Sequence, residues 1–306
     1  HRDLHSFPTR RSSDLYIMSS KSRVVQTINL STKNYLTGTN IYRTTFPSSF
    51  DAQTNNCKIG VKQYCLYNST YNISSALGNN TFSVKWINGE TIDVTLENGY
   101  YDMQKLNERL QYEFVRKKWY LQSTSNAREV LYYITIASNV IRYTSQIDIL
   151  YVPSMMPSGY TYPDGATWSL PVQPMYPQII LSPGLMKIFG FKSQSQFPPS
   201  QTVTTVENKS YLSDTYPVLS PVFAYTLGCN WVNSPFSQDP RVLYSVPLSK
   251  SFGELLNAEL SNSTLVSVFP RSYTTLDIYI MDQDLNPIVL VDPEISITLI
   301  LEYDVA

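Results

Sequence analysis

Residues 81–96, TFSVKWINGETIDVTL, carry the strongest local structural signal in the sequence. Apolar and polar side chains alternate on both sides of the central pair Asn88-Gly89. Such alternation is typical of half-buried strands, and Asn-Gly supplies the two positive φ angles that a type I′ hairpin turn needs. The stretch therefore predicts a β-hairpin.

Further strand-like segments lie on both sides of this hairpin. They are predicted at 57–67, 132–141, 202–206, 220–232, 242–248, 276–280 and 295–303. In the second of these, Ser138-Asn139 is predicted as a hairpin turn and Val140-Ile141 as the start of the returning strand. About eight to ten strands separated by turns, without alternating helices, indicate an antiparallel sandwich or barrel.

Helical spacing occurs at 102–118. The apolar residues recur at intervals of three and four, Asp102 can cap the start, and basic residues follow at the end. One apolar stripe predicts one helix that packs on a surface of the sandwich. The stripe consists of Met103, Leu106, Leu110 and Phe114.

Residues 151–178 differ from the rest because six prolines interrupt them. Proline cannot donate to a β-ladder, so a long ordered loop or small insertion is expected, extending over 151–215. A short helix is predicted within it, with Ser182 as N-cap, Pro183 at the first position and Gly190 as C-cap.

The beginning of the chain, HRDLHSFPTRRSSDL, looks like translated adapter sequence. We expect 1–17 to be an artefact and scar, with Met18 as a plausible start. The polar segment 18–56 is predicted to be an extended N-terminal arm, and 57–306 a single domain with the 151–215 insertion.

His1 and His5 are the two histidines of the chain, and both lie in that leading segment. The rest of the chain therefore excludes Ser-His-Asp and Cys-His catalysis, zincin-type metal binding and histidine pH switching. The charge is balanced, with 23 Lys+Arg against 24 Asp+Glu. This balance is unlike that of a protein that coats nucleic acid by electrostatic attraction.

Only 15% of the residues are charged and 13% are aromatic. This composition suits pleated, half-buried surfaces and also surfaces that partners cover. Cys57 and Cys65 are too far apart along one strand for a disulfide. With Cys229 they are expected to be reduced and packed, in an intracellular compartment. No apolar run is long enough for a membrane helix, and no signal-peptide pattern follows Met18.

Several motifs allow a chemical interpretation beside a structural one. Asp282-x-Asp284-x-Asn286 resembles the start of a calcium loop, but Pro287 stands where an EF-hand needs glycine, so a β-turn is favoured. Gly184 and Gly190 are not part of a P-loop. Sequons at six asparagines are expected to be unmodified without a secretory signal; they are Asn29, Asn68, Asn72, Asn79, Asn208 and Asn262.

Two binding or catalytic alternatives stay open. Aromatic residues of the Pro-rich segment are either a ligand platform or the packing of the loop, and packing is favoured; they are Tyr160, Tyr162, Trp168 and Tyr176. Paired carboxylates for glycosidase chemistry remain an alternative, although most acidic residues fall in predicted turns.

Four segments in this order resemble the minor capsid (penton) proteins of polinton-like viruses, adintoviruses and virophages. They are VTLENGYYDMQKLNERLQ, SPGLMKIFGF, LGCNWVNSPFSQDPRVLYSVPLSKSFGELL and LDIYIMDQDLNPIVLVDPEISITLIL. The resemblance covers most of 24–303, and residues 151–178 and 193–215 have no counterpart in it. It implies a single jelly roll that assembles as a homopentamer at the vertices of an icosahedral shell, beside the major capsid protein.

The sequence therefore predicts an all-β, antiparallel jelly-roll sandwich with one surface helix near 102–118 and a Pro-rich insertion. The expected function is structural, in a virion assembled inside the host cell. No catalytic, cofactor or metal residue is assigned, and no sequence-specific nucleic acid or membrane span is expected. The alternatives are a carbohydrate- or receptor-binding module on a virion and a glycoside hydrolase on a jelly roll.

Overall fold

A computed structural model describes residues 22–53, 56–232, 242–261 and 263–305. The predicted artefact at 1–17 lies outside these residues. The helices are α1 Met103–Lys117 and α2 Pro183–Phe189, and Thr32–Asn34 form a 3-10 turn. The strands are β1 Ser22–Ser31, β2 Ile41–Asp51, β3 Lys58–Tyr67, β4 Thr81–Lys85, β5 Thr91–Thr95, β6 Leu121–Ser123, β7 Val130–Leu131, β8 Ile134–Asn139, β9 Thr144–Ile149, β10 Tyr160–Thr161, β11 Gln178–Leu181, β12 Gln196–Phe197, β13 Lys209–Leu212, β14 Ala224–Cys229, β15 Val242–Pro247, β16 Leu255–Glu259, β17 Val266–Ser267, β18 Ser272–Met281 and β19 Ile295–Val305.

Eight of these strands form a jelly roll. One sheet has the order β1-β19-β3-β16, and the other has the order β2-β18-β14-β15. All their pairings are antiparallel. Numbered in chain order, the eight strands give 1-8-3-6 and 2-7-4-5, the arrangement of two Greek keys in a jelly roll. The predicted fold class is confirmed.

The last strand shows why the sequence adopts this sandwich. In β19, Ile295, Ile297, Leu299 and Leu301 are buried and the residues between them are more exposed. Inward-facing residues of β18 and β14 meet them in one core that also contains Trp231. Period-2 burial of β-branched and leucine side chains is the pattern of a strand with one face on the core.

The described part of the predicted arm 18–56 is not free, which corrects that prediction. β1 pairs with β19 over its whole length, from Ser22↔Val305 to Ser31↔Ser296, and β2 pairs with β18. These strands lie at sheet edges, where most outward side chains face solvent. Edge strands need few apolar residues, which explains why the segment has a polar composition.

The chain between β3 and β14 forms a second core and is much larger than the predicted insertion at 151–215. Its sheets have the orders β12-β11-β4-β5, β13-β9-β8 and β10-β6-β7, and none of the described strands of the jelly roll joins them. Trp86 lies at the centre of this core, with its ring 5.1 Å from that of Trp119. The amino-acid pattern does not predict this boundary, because both cores are built from similar alternating strands. We call residues 68–223 the insertion.

Helix α1 begins and ends as predicted but packs on the insertion instead of on the jelly roll. Asp102 accepts a hydrogen bond from the Lys105 backbone N–H at 2.8 Å, and Lys118 ends the helix in the left-handed conformation. The buried stripe contacts the insertion core, and Asn107 accepts a hydrogen bond from the Ile136 N–H in β8. α2 likewise has the predicted caps, Ser182 and Gly190.

Two hairpin turns differ from their predictions. At Asn88-Gly89, Gly89 has a φ of +85° but Asn88 is not among the residues with positive φ. Hydrogen bonds from Trp86 N to Glu90 O and from Gly89 N to Trp86 O define a three-residue loop. This is a type I turn followed by a left-handed glycine, and not a type I′ turn.

The β8–β9 turn lies later than predicted. Asn139 pairs with Thr144, so Val140-Ile141 form the tip and not the returning strand. Asn139 Oδ1 accepts a hydrogen bond from Arg142 N at 3.0 Å, and Tyr143 has a φ of +54°. The asparagine side chain thus closes a four-residue loop, which a two-residue turn prediction could not anticipate.

Candidate interaction surface

The buried carboxylates of the described chain do not form a catalytic pair. Glu113 lies in the insertion and Asp277 in the jelly roll. Arg43 holds Asp277 through two hydrogen bonds of 2.7 and 2.8 Å. Glu113 is bonded on both oxygens by arginines. Each carboxylate is therefore neutralised within its own region, and the arrangement that a glycosidase needs is not formed by these two groups.

The buried thiols are chemically inactive at neutral pH. Burial raises the pKa of Cys57 to about 11 and that of Cys229 to about 12. All three cysteines are free. Because the thiolate is the reactive form, neither buried thiol is a nucleophile near pH 7.

The Asp282 carboxylate forms hydrogen bonds within its own turn. One carboxylate oxygen of Asp282 accepts hydrogen bonds from the backbone N–H groups of Asp284 and Asn286, each at 2.8 Å. Among the described residues, no three His, Cys, Asp or Glu side chains group as metal ligands. No helix in the described ranges is long and apolar enough to cross a bilayer.

The aromatic residues of the Pro-rich segment mostly serve as packing. Trp168 is 5% and Tyr176 2% exposed. Trp168 packs edge-on against Trp86 at 5.1 Å and donates from its indole N–H to the Lys118 carbonyl. Tyr160 and Tyr162 pack partly buried against the same core. The side chains are thus brought together in the interior, where they do not form an open ligand platform.

An exposed apolar surface lies instead at the β8–β9 tip. Five side chains form it, with exposed fractions between 61% and 97%. Four of them, all except Ile141, line a recess of about 630 Å³ that Pro217, Leu219 and Pro221 also line. We call these five the tip patch: Val140, Ile141, Tyr143, Tyr216 and Phe223.

The tip patch is held in shape by the fold. The rings of Tyr143 and Tyr216 stack at 6.1 Å, and Phe223 directly precedes β14 at the return to the jelly roll. Large exposed apolar patches of this kind mark interaction sites. The prediction of a strand at Val140-Ile141 concealed this patch; the polar residues Asn139 and Arg142 around the pair were the available signal.

Asn72 links the two segments where the chain passes between the jelly roll and the insertion. Its side-chain amide donates to the carbonyls of Tyr101 and Leu219, each at 2.7 Å, and its Oδ1 accepts from the Tyr101 N–H. Asn72 is 1% exposed. Its sequon is therefore buried, as is that of Asn79, whereas the sequon at Asn262 lies outside the described residues.

Replacing Asn72 with leucine is expected to lower the free energy of unfolding by about 3 kcal/mol, because three partly buried main-chain groups lose their partner. Urea unfolding of the full chain measures this. Asn80→Ala is the control, since within the described residues Asn80 makes one side-chain bond, to the Leu96 carbonyl at 3.2 Å. Equal losses in both variants would contradict the role of Asn72.

Comparisons with known proteins give structural similarities only. No family model matches the sequence, and no curated protein is detectably similar to it. The chain is similar to the penton protein of mavirus, with 12% identity, a TM-score of 0.41 and coverage of 93% of this chain and 99% of that one. It is also similar to a chain of the Sputnik virophage structure, with 12% identity, a TM-score of 0.39 and coverage of 92% and 97%.

Proposed function

We propose that this chain is a structural viral protein, a penton-type minor capsid protein that forms vertex capsomers of an icosahedral virion. The observation that supports this best is the complete eight-strand jelly roll. Viral capsid proteins are among the users of this fold, and the resemblance of the four sequence segments implies the same architecture and role. The protein acts by assembly and not by catalysis.

The proposed partners are further copies of this chain, as a homopentamer, and the viral major capsid protein. The tip patch supports assembly because its five apolar side chains, Ile141 at 97% among them, are all more than 60% exposed. A ring of five copies needs a heterologous contact that closes on itself. We place the tip patch in this contact, against a second copy of the chain.

The carbohydrate- or receptor-binding alternative is less well supported. It relied on an open cluster of aromatic side chains, and Trp168 and Tyr176 are in the core. Jelly rolls also occur in lectins and in cupins, and a glycan array with the purified chain separates the lectin alternative from the capsid proposal.

The assembly test uses the purified full chain and the chain co-expressed with the viral major capsid protein. We expect a species of five times the 34.9 kDa chain mass in mass photometry, and its incorporation at vertices in electron micrographs. A protein that stays monomeric when concentrated and is absent from the particles would overturn the proposal.

A charge in the tip patch is expected to prevent this assembly. Ile141→Glu places a carboxylate where burial against another copy would desolvate it, at a cost of several kcal/mol, while the fold keeps its stability because the residue is exposed. Val172→Glu is the matched control, since Val172 is also 97% exposed but lies outside the patch. Assembly by the Ile141 variant, or equal loss in both, would place the contact elsewhere.

A further inference from the structure

A groove runs along the insertion between strand β5 and helix α1. It has a volume of about 620 Å³. Lys117 contacts Glu90 at one end, and Tyr101 donates to the Glu97 carbonyl at the other. The helix therefore runs antiparallel to the strand, and the two elements form the walls of one channel.

On the strand side of the groove, the main chain of β5 has a free hydrogen-bonding edge. β5 is the last strand of its sheet. Val94 is 2% exposed, whereas its neighbours Asp93 and Thr95 are exposed, and all three line the groove. Since none of the described strands pairs with β5 on this side, the free edge of β5 borders the groove.

The hydrogen-bond phase of the hairpin identifies the free groups. Trp86 N bonds to Glu90 O and Leu96 N bonds to Asn80 O, and the register between them is uninterrupted. Bonded pairs alternate in an antiparallel ladder, so Ile92 and Val94 bond to β4. The N–H and C=O groups of Thr91, Asp93 and Thr95 therefore point away from β4 to the free edge, where Asp93 and Thr95 line the groove, and no described residue pairs with them there.

The helix wall carries an excess of positive charge. Arg109 and Arg116 bond to opposite oxygens of Glu113 at 2.8 and 2.6 Å. Glu113 is 2% exposed, whereas both arginines keep unused N–H groups at the groove. Arg109 also lies over the Tyr112 ring, 4.9 Å from its centre. One carboxylate thus orients two guanidinium groups.

The solvent-facing side of β5, away from the core, carries negative charge. The Asp93 carboxylate accepts a hydrogen bond from the Ser83 hydroxyl at 2.6 Å on the solvent side of the sheet. Glu97 adds a carboxylate at the end of the groove. A strand beside β5 would therefore meet arginines on its inward face and Asp93 on its outward face.

We propose that the open edge of β5 binds an extended segment of a partner protein as an added strand. The segment alternates carboxylate side chains, which face Arg109 and Arg116, with lysine or hydroxyl side chains, which face Asp93. Main-chain bonds supply the affinity and the alternating side chains the specificity, as in other cases of strand addition. This inference does not depend on the capsid proposal.

Two other occupants fit the groove less well. Pairing with β5 of a second copy, centred on Asp93, would set the two Asp93 carboxylates opposite each other, and like charges at that position are destabilising. A glycan lacks the regular repeat of donors and acceptors that would match Thr91, Asp93 and Thr95.

The test uses the full chain and the peptide acetyl-Thr-Glu-Lys-Glu-Thr-amide, which has the length of β5. Saturating peptide is expected to slow amide hydrogen exchange of Thr91, Asp93 and Thr95 by about tenfold or more, with little change at Ile92 and Val94. The same peptide with a methyl group on the backbone nitrogen of lysine lacks one main-chain donor. It is expected to bind about fivefold more weakly. Binding without this alternating protection, equal binding of the methylated peptide, or competition by an oligosaccharide would overturn the proposal.

A variant of the strand gives an independent test. Thr95→Pro removes a donor that points into the groove and leaves the bonds to β4 in place, as edge prolines do. We expect about fivefold weaker peptide binding at an unchanged thermal midpoint. Should the variant unfold, the methylated peptide on the unmodified chain still decides the question.

Discussion

Replacing Trp86 with alanine is expected to lower the stability of the insertion by about 3–5 kcal/mol and to leave the jelly roll folded. Trp86 is fully buried, and its indole N–H has no hydrogen-bond partner among the described residues, so the loss is one of packing. The rings around it belong to Trp119, Trp168, Tyr133 and Phe114.

Hydrogen exchange followed by mass spectrometry distinguishes the two regions. Protection is expected to fall across the insertion core, 73–197, and to persist in the strands of the jelly roll, because the described sheets of the two regions share no strand. Trp231→Ala is the reciprocal control, since Trp231 stacks on Phe50 at 5.3 Å in the jelly-roll core. It is expected to lower protection in the jelly roll. Parallel loss of protection in both cores with either variant would mean that the chain unfolds as one unit.

Alanine at Gly190 is expected to cost about 2–4 kcal/mol, and alanine at Gly253 only about 1 kcal/mol. Both glycines have a φ of +84°, so a side chain at either position would have to adopt a left-handed φ. A Cβ atom at Gly190 would lie 2.4 Å from the Thr215 carbonyl oxygen, whereas one at Gly253 would meet nothing within 4 Å. The difference between the variants isolates the steric contact.

The Thr215 carbonyl cannot easily move away. Thr215 N and Thr215 Oγ1 both donate to the Gly190 carbonyl, at 3.0 and 3.1 Å, which ties the end of α2 to this segment. Denaturant unfolding of the two variants measures the difference. Equal losses would show that the contact relaxes at no cost and that the left-handed backbone alone requires glycine.

Local patterns predicted several elements well, but the strand predicted at 202–206 was wrong, because only Thr202 forms an isolated bridge there and the strand of this region is Lys209–Leu212. The stripe and caps of α1, the Ser182 and Gly190 caps of α2 and the alternation in β19 are short-range features, since each depends on residues within a few positions of one another. Turn geometry was less predictable. Asn88 and Asn139 both bond through their side chains to nearby backbone, and this choice of turn type depends on how the flanking strands pair.

The sequence alone establishes an all-β chain without a histidine after residue 5 and with balanced charge, because composition and periodicity need no knowledge of neighbours. The division into two cores, the tip patch and the open edge of β5 came from the folded chain. Each depends on how the strands pair in the folded chain: β1 pairs with the distant β19, and β5 pairs with β4 alone among the described strands. Alternating strands look alike in sequence whichever sheet they join, so only their pairing shows which edge and which apolar side chains remain uncovered.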